Sequence, residues 1–264
     1  MNDTTNIREL KLSRKTSSAK RKEQEYYPSR SQRSKYAEHE SNTINFNPQK
    51  QRKAVTLVPK TINQEDYIMA LQDRSVDVVI AGGPAGTGKT YLATLAAIQA
   101  YRNKEVSRIV ILRPAVSIEG EEHGFLPGDL TAKLAPWCRP VLDVLREFYN
   151  IKEIEHMLSE EIIEFASLGM VRGRTFKNTW LLLDESQNSS PTQLKSLLTR
   201  IGEGSKFVLN GDIDQSDRID RECGLADLLE RMDEANIRGV QVCHFDNRDI
   251  QRHRLVGEFI KLYK

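Results

Sequence analysis

The chain has 264 residues, 39% of them hydrophobic and 29% charged, which is enough for one large or two small domains around a sizeable core. No apolar run approaches the roughly 18 residues that cross a bilayer, and the opening residues build no apolar signal segment, so a cytoplasmic protein without membrane association is expected. Cys138, Cys223 and Cys243 are odd in number and far apart, which excludes a disulfide framework or zinc pattern and argues against thiol chemistry.

The net charge of +2 conceals a division: residues 1–60 carry 14 Lys and Arg against 6 Asp and Glu, leaving 25 against 31 for the remainder. The first 50 residues hold only 11 hydrophobic side chains, too few to offset the entropy of ordering them. Residues 1–54 therefore read as a basic, mostly disordered arm, and residues 55–264 as the folded domain. The arm is either solvated or, with Tyr26, Tyr27 and Tyr36 among its cations, able to neutralise phosphates and stack on unpaired bases.

From residue 55 onward short apolar runs alternate with helical spacing. Strands are expected at 76–81, 108–112, 180–183, 207–209 and 240–245, and helices at 88–100, 192–201, 224–233 and 249–262. The alternation predicts an α/β fold with a mainly parallel sheet covered by helices on both faces. A long helical insertion follows the second strand; Leu134, Trp137, Val141, Val144, Leu145 and Phe148 have helical spacing, with Pro136 and Pro140 starting or kinking the helix.

Gly83-Pro84-Ala85-Gly86-Thr87-Gly88-Lys89-Thr90 matches G-x-x-x-x-G-K-[ST] directly after a strand and at the opening of a helix. Such a loop lets backbone amides approach phosphates, and the helix N-terminus adds partial positive charge. Lys89 reaches the β- and γ-phosphates and the Thr90 hydroxyl holds Mg2+, with Tyr91 next along the helix. About a hundred residues later the run Trp180–Leu183 ends in Asp184 and Glu185, at the strand end where open α/β sheets bind ligands. Asp184 is the expected second Mg2+ anchor and Glu185 the group that polarises water, a pair typical of enzymes that transfer phosphoryl groups to water. Asn210, Asp212 and Gln215 follow another strand and are placed near the same rim, as sensors of a γ-phosphate. No Asn-Lys-x-Asp motif follows a strand to read guanine, which favours ATP over GTP. The five histidines show no ligand spacing, so no metal beyond Mg2+ is expected.

Taken together, the segments 82–93, 113–115, 124–129, 171–176, 183–188, 198–206, Gly211-Asp212 with Gln215, and 249–256 resemble the PhoH family of phosphate-starvation-inducible ATPases over residues 55–264. The resemblance implies a RecA-like P-loop NTPase with the motif set of superfamily 1 helicases, ATP and Mg2+ as ligands, a role in RNA metabolism and a separate nuclease partner. It supports Gln64 as a contact to the adenine edge, against the alternative of a surface glutamine. Where the family reads Arg-His-Pro, this chain has Arg252-His253-Arg254. A single lobe of about 200 residues leaves the nucleotide site incomplete, so a homo-oligomer such as a hexameric ring is expected, with Arg252 or Arg254 of a neighbour acting as an arginine finger. Arg172 and Arg174 are either a fork for phosphate or a charged turn. The readings kept open are an RNA-linked ATPase, a phosphotransferase, and a nucleotide-gated RNA- or protein-binding module with little turnover.

Overall fold

The computed structural model describes residues 53–114, 138–216, 223–252 and 255. In chain order the elements are α1 (Ile62–Gln72), β1 (Val78–Gly82), α2 (Lys89–Arg102), β2 (Arg108–Arg113), α3 (Arg139–Arg146), α4 (Ile151–Ser159), β3 (Ile163–Ser167), β4 (Thr179–Leu183), α5 (Pro191–Leu198), β5 (Lys206–Gly211), α6 (Gly224–Glu234) and β6 (Val240–His244). The strands form one sheet in the order β3-β2-β4-β5-β1-β6, and every neighbouring pair is parallel. One strand, β5, separates the strand that feeds the phosphate loop from the strand that ends in Asp184. This is a RecA-like α/β arrangement.

The sequence dictates the two-sided sheet. In β1 and β4 all five residues are buried, the mark of strands covered on both faces, and their side chains alternate between two apolar layers. Val79, Ala81, Ile109, Ile111, Leu182 and Val208 face the layer shared with α1, α2, α3 and α4. Val78, Ile80, Val110, Leu181, Phe207 and Leu209 face the opposite layer, closed by Leu194 and Leu197 of α5 and Leu225 of α6. Phe207 is fully buried, with its ring edge-on to Phe176 at 6.0 Å between centroids. Phe207→Ala is expected to cost about 3–5 kcal/mol. A lowered urea midpoint at unchanged slope would record it.

The helix ends are chemically specified. Thr61 accepts from Gln64 N–H at the start of α1, and Asn150 with Glu153, and Ser190 with Gln193, form reciprocal caps on α4 and α5. At the other end of α1, Lys206 Nζ donates to the carbonyls of Ala70, Leu71 and Asp73 at 3.0, 2.9 and 2.7 Å. Burial draws this ammonium down to about 8, and three carbonyl acceptors at a helix C-terminus favour its charged form.

Three elements were not anticipated from the sequence: α1, α4 and β3. The insertion after β2 is thus partly sheet, because β3 adds to the edge beside β2. Helix α3 begins only at Arg139, with Pro140 in its first turn, where the missing N–H has no helical partner to lose. The arm over residues 1–52, the segment 115–137 with its expected helix start, and residues 217–222, 253–254 and 256–264 lie outside the described residues. The closing helix expected from residue 249 does not begin there: Asn247–Asp249 is a short 3-10 turn, Ile250 is extended, and residues 251–252 are not helical. Among the described residues no helix is long and apolar enough to cross a membrane.

Candidate nucleotide site

Four strand ends and one helix N-terminus converge on a cavity of about 300 Å³ at the C-terminal rim of the sheet. Residues 83–88 form the turn from β1 into α2, and α2 starts at Lys89 with Gly88 as its N-cap in left-handed conformation. Gly86 has φ 83°, a left-handed conformation that favours glycine, and its Cα faces the Arg252 side chain. The first amides of α2 point out of the helix without intrahelical partners, which makes the turn a cradle for anionic oxygen.

Lys89 is 8% exposed and donates to Gly83 O at 2.7 Å, Pro84 O at 2.8 Å and Thr87 Oγ1 at 3.1 Å. Burial lowers its ammonium from the usual lysine value, while the carboxylates of Asp212, Asp184 and Glu185 pull the other way. Thr90 Oγ1 donates to Asp184 Oδ1 at 2.7 Å, joining the start of α2 to the end of β4. A hydroxyl beside a single carboxylate is the hard-oxygen set that suits Mg2+, which keeps several waters and shares the rest of its shell with phosphates. Among the described residues no group of three or more His, Cys, Asp or Glu stands together as a metal cage. The residues present therefore fit a Mg-nucleotide, with Thr90 and Asp184 holding the metal and the loop amides with Lys89 holding phosphate.

The second carboxylate is displaced from the first by the backbone. Glu185 lies at φ 57°, ψ 40°, a left-handed conformation that turns its side chain away from the buried path of β4. Its Oε1 accepts from Arg113 Nη2 at 3.3 Å and its Oε2 from Gln187 Nε2 at 2.7 Å. Gln187 Oε1 in turn accepts from Asp212 N–H at 3.1 Å, and Asp212 Oδ2 accepts from Ala85 N–H at 2.9 Å. A continuous polar chain thus runs from the phosphate loop through the end of β5 to Glu185. These groups meet at Gly211, where a Cβ would lie 2.5 Å from Leu225 Cδ2, 2.7 Å from Ser186 Oγ and 2.8 Å from Gln187 Oε1.

Ala85, Thr87, Gly88, Tyr91, Asp212 and Gln215 line the cavity as well, with Tyr91 44% exposed at its mouth. Other expected site residues sit elsewhere. Gln64 is 4% exposed behind the loop: Lys60 N–H donates to its Oε1 at 2.8 Å and its Nε2 donates to Thr87 O at 2.9 Å, so its amide braces the loop and does not line the cavity. Gly83 and Pro84 stand back in the same way, their carbonyls turned to Lys89. Asn210 is buried below the rim and accepts from Tyr67 Oη at 2.7 Å. Arg174 is held in a two-pronged pair with Glu164 at 2.5 and 2.7 Å and stacks on Phe176, so it does not offer a free fork.

Arg252 was expected to reach across from a neighbouring subunit. It lines the cavity of its own chain, because Gln251 N–H donates to Gly86 O at 2.8 Å and pins the segment after β6 to the phosphate loop. Arg254 lies outside the described residues. The residues that sequence reasoning missed are Gln187, which belongs to the same short run as Glu185, and Arg113 as partner of both acids. The thiols are inert here: all three cysteines are buried, and burial pushes Cys138 up to about 11 and Cys243 up to about 12.

A family model described as PhoH-like protein matches residues 56–264. A PhoH-like protein of Synechocystis is 40% identical over 215 residues, covering 81% of this chain and 64% of the relative. Protein PhoH of Escherichia coli is 38% identical over 203 residues, covering 76% of this chain and 56% of the relative. The chain thus spans less than two thirds of the length of the curated relatives it matches. Among solved structures, a Sulfolobus solfataricus SWI2/SNF2 ATPase core in complex with dsDNA is 11% identical with a TM-score of 0.39, covering 73% of this chain and 45% of that one.

Proposed function

Because the chain belongs to the PhoH family, we propose that it is an ATP hydrolase that requires Mg2+ and acts on or with single-stranded RNA. The observation that carries the reading is the 2.7 Å contact between Thr90 Oγ1 and Asp184 Oδ1, which sets the metal-binding pair beside Lys89 and within one residue of Glu185. Hydrolysis forms a bond from a water oxygen to the γ-phosphorus and breaks the bridging bond to the β-phosphate. ADP leaves with that electron pair, and the proton of the water passes through Glu185 to phosphate or solvent.

Each residue has a role in that scheme. Lys89 and the loop amides hold the phosphates and offset their charge; Thr90 and Asp184 hold the metal; Glu185 orients and polarises the water. When bound, Mg2+ draws charge from the phosphate oxygens as the bridging bond lengthens. Arg252, exposed in the same cavity, adds a cation from within the chain. The lack of a guanine-reading motif favours ATP, and the basic arm with its tyrosines supplies phosphate-neutralising and stacking groups for RNA. We further propose a cytoplasmic homo-oligomer, a hexameric ring being one closed form, that works with a separate nuclease.

The test is ATP turnover by the full chain with and without single-stranded RNA. The expected outcome is Mg2+-dependent hydrolysis that RNA accelerates, with RNA affinity falling steeply with salt, by a logarithmic slope of about −0.7 per phosphate neutralised. A second reading, a nucleotide-gated binding module, has one observation in its favour: each oxygen of Glu185 is already oriented by a hydrogen bond from the chain. Tight nucleotide binding without turnover under any condition would establish it over the first.

A further inference from the structure

The two acids that end β4 share one cation. Arg113, the last residue of β2, places its Nη2 3.1 Å from Asp184 Oδ2 and 3.3 Å from Glu185 Oε1. With Gln187 on Glu185 Oε2, each oxygen of the carboxylate that would take up water accepts one hydrogen bond from the chain, which fixes its orientation while the side chain stays 44% exposed. Glu185 also keeps a backbone conformation that a side chain with a Cβ rarely adopts, and such conformations persist only where neighbouring contacts enforce them.

Arg113 itself is not sealed in. Its side chain is 22% exposed at the cavity, and among the described residues its hydrogen bonds come from Nη2 alone. One nitrogen shared between two carboxylates uses a guanidinium poorly. A phosphodiester offers two oxygens that match the planar fork of donors in parallel bonds, the geometry in which arginine binds most strongly. The arginine stands on the strand next to β4, with β4 and β5 between it and β1, and a link from it toward the phosphate loop runs through Asp184 to Thr90.

We infer that Arg113 is a latch: in the free protein it ties Glu185 and Asp184, and the phosphodiester backbone of bound RNA draws the guanidinium away and releases Glu185 to take water. Arg113 is then a positioning residue that acts through Glu185. The inference rests on the RNA-stimulated reading above and supplies the means of stimulation.

Two measurements on the full chain test it. Arg113→Gln is expected to raise hydrolysis without RNA about tenfold, the scale of a hydrogen bond to a charged group, and to abolish further stimulation by a uridine 20-mer. Arg113→Lys, which keeps the charge without the fork, should remain latched and respond weakly to RNA. Affinity for the same 20-mer, read by fluorescence anisotropy, needs no turnover. There Glu185→Gln should tighten binding severalfold in the wild-type background and have no effect in the Arg113→Gln background, and Arg113→Gln should lower the salt slope by about 0.7.

Loss of basal turnover in Arg113→Gln with unchanged RNA affinity would make the arginine part of the phosphate site and overturn the latch. Additive effects of the two substitutions on affinity, or no binding of the 20-mer, would overturn it as well. If the wild-type chain hydrolyses no ATP, the function proposed above falls, while the affinity cycle still decides the latch.

Discussion

Lys89→Ala should abolish measurable ATP turnover, with kcat/KM lower by about 10²- to 10³-fold, the loss that follows removal of one preorganised positive donor from a phosphate or oxyanion site. The substitution deletes the only ammonium among the described groups lining the cavity and leaves the carbonyls of Gly83 and Pro84 without their donor. Nucleotide binding should weaken too, so calorimetry with an ATP analogue is the companion measurement. A pH profile of kcat/KM gives an independent view. Burial lowers the Lys89 ammonium in the free protein, so the charged form is lost as pH rises through a value below the ordinary lysine range, and the alkaline limb should start correspondingly early. A variant that keeps wild-type turnover would remove the phosphate loop from the mechanism.

Glu185→Gln should give the opposite division between binding and chemistry. The side chain is nearly the same size and keeps a hydrogen-bonding oxygen, while the Thr90 and Asp184 pair is untouched, so nucleotide affinity should stay within about threefold of the wild type. Hydrolysis should fall by about 10²- to 10⁴-fold, the usual contribution of a positioned acid or base. A single-turnover assay with radiolabelled ATP separates these effects, since nucleotide should remain bound and intact. Unchanged hydrolysis would mean that Glu185 does not handle the water and would shift the balance toward a nucleotide-gated module.

The parts of this molecule that were legible in the sequence are those whose physics is local. The phosphate loop needs a few residue types at fixed offsets, and β4 announces itself as Leu181-Leu182-Leu183 running into two carboxylates. Strand β3 was missed because Glu164 interrupts a five-residue run, and the Arg174 that neutralises it stands ten residues later. Helix α1 carries many polar residues and is held partly by Lys206, 133 or more positions away. The same limit applied to the site. Gln64 reads as an adenine contact or a surface glutamine, whereas its partners in the fold are the Lys60 amide and the Thr87 carbonyl. The residues place Arg252 or Arg254 in a neighbouring subunit's site, and nothing in their order shows that Gln251 is bonded to Gly86 of the same chain. Contacts between distant segments decide these positions, and periodicity does not report them.

The crowding at Gly211 bears on how such a site can change through descent. Any other residue there brings a Cβ toward Leu225, Ser186 and Gln187 at once, and Gln187 is the hydrogen-bonding partner of Glu185. Shrinking Leu225 would clear one of the three contacts, and the other two are side-chain ends that would have to turn aside. A substitution there asks three side chains to move together. New behaviour in this scaffold is better sought at exposed Tyr91 and Gln215, where side chains can vary without prising β5 from the end of β4.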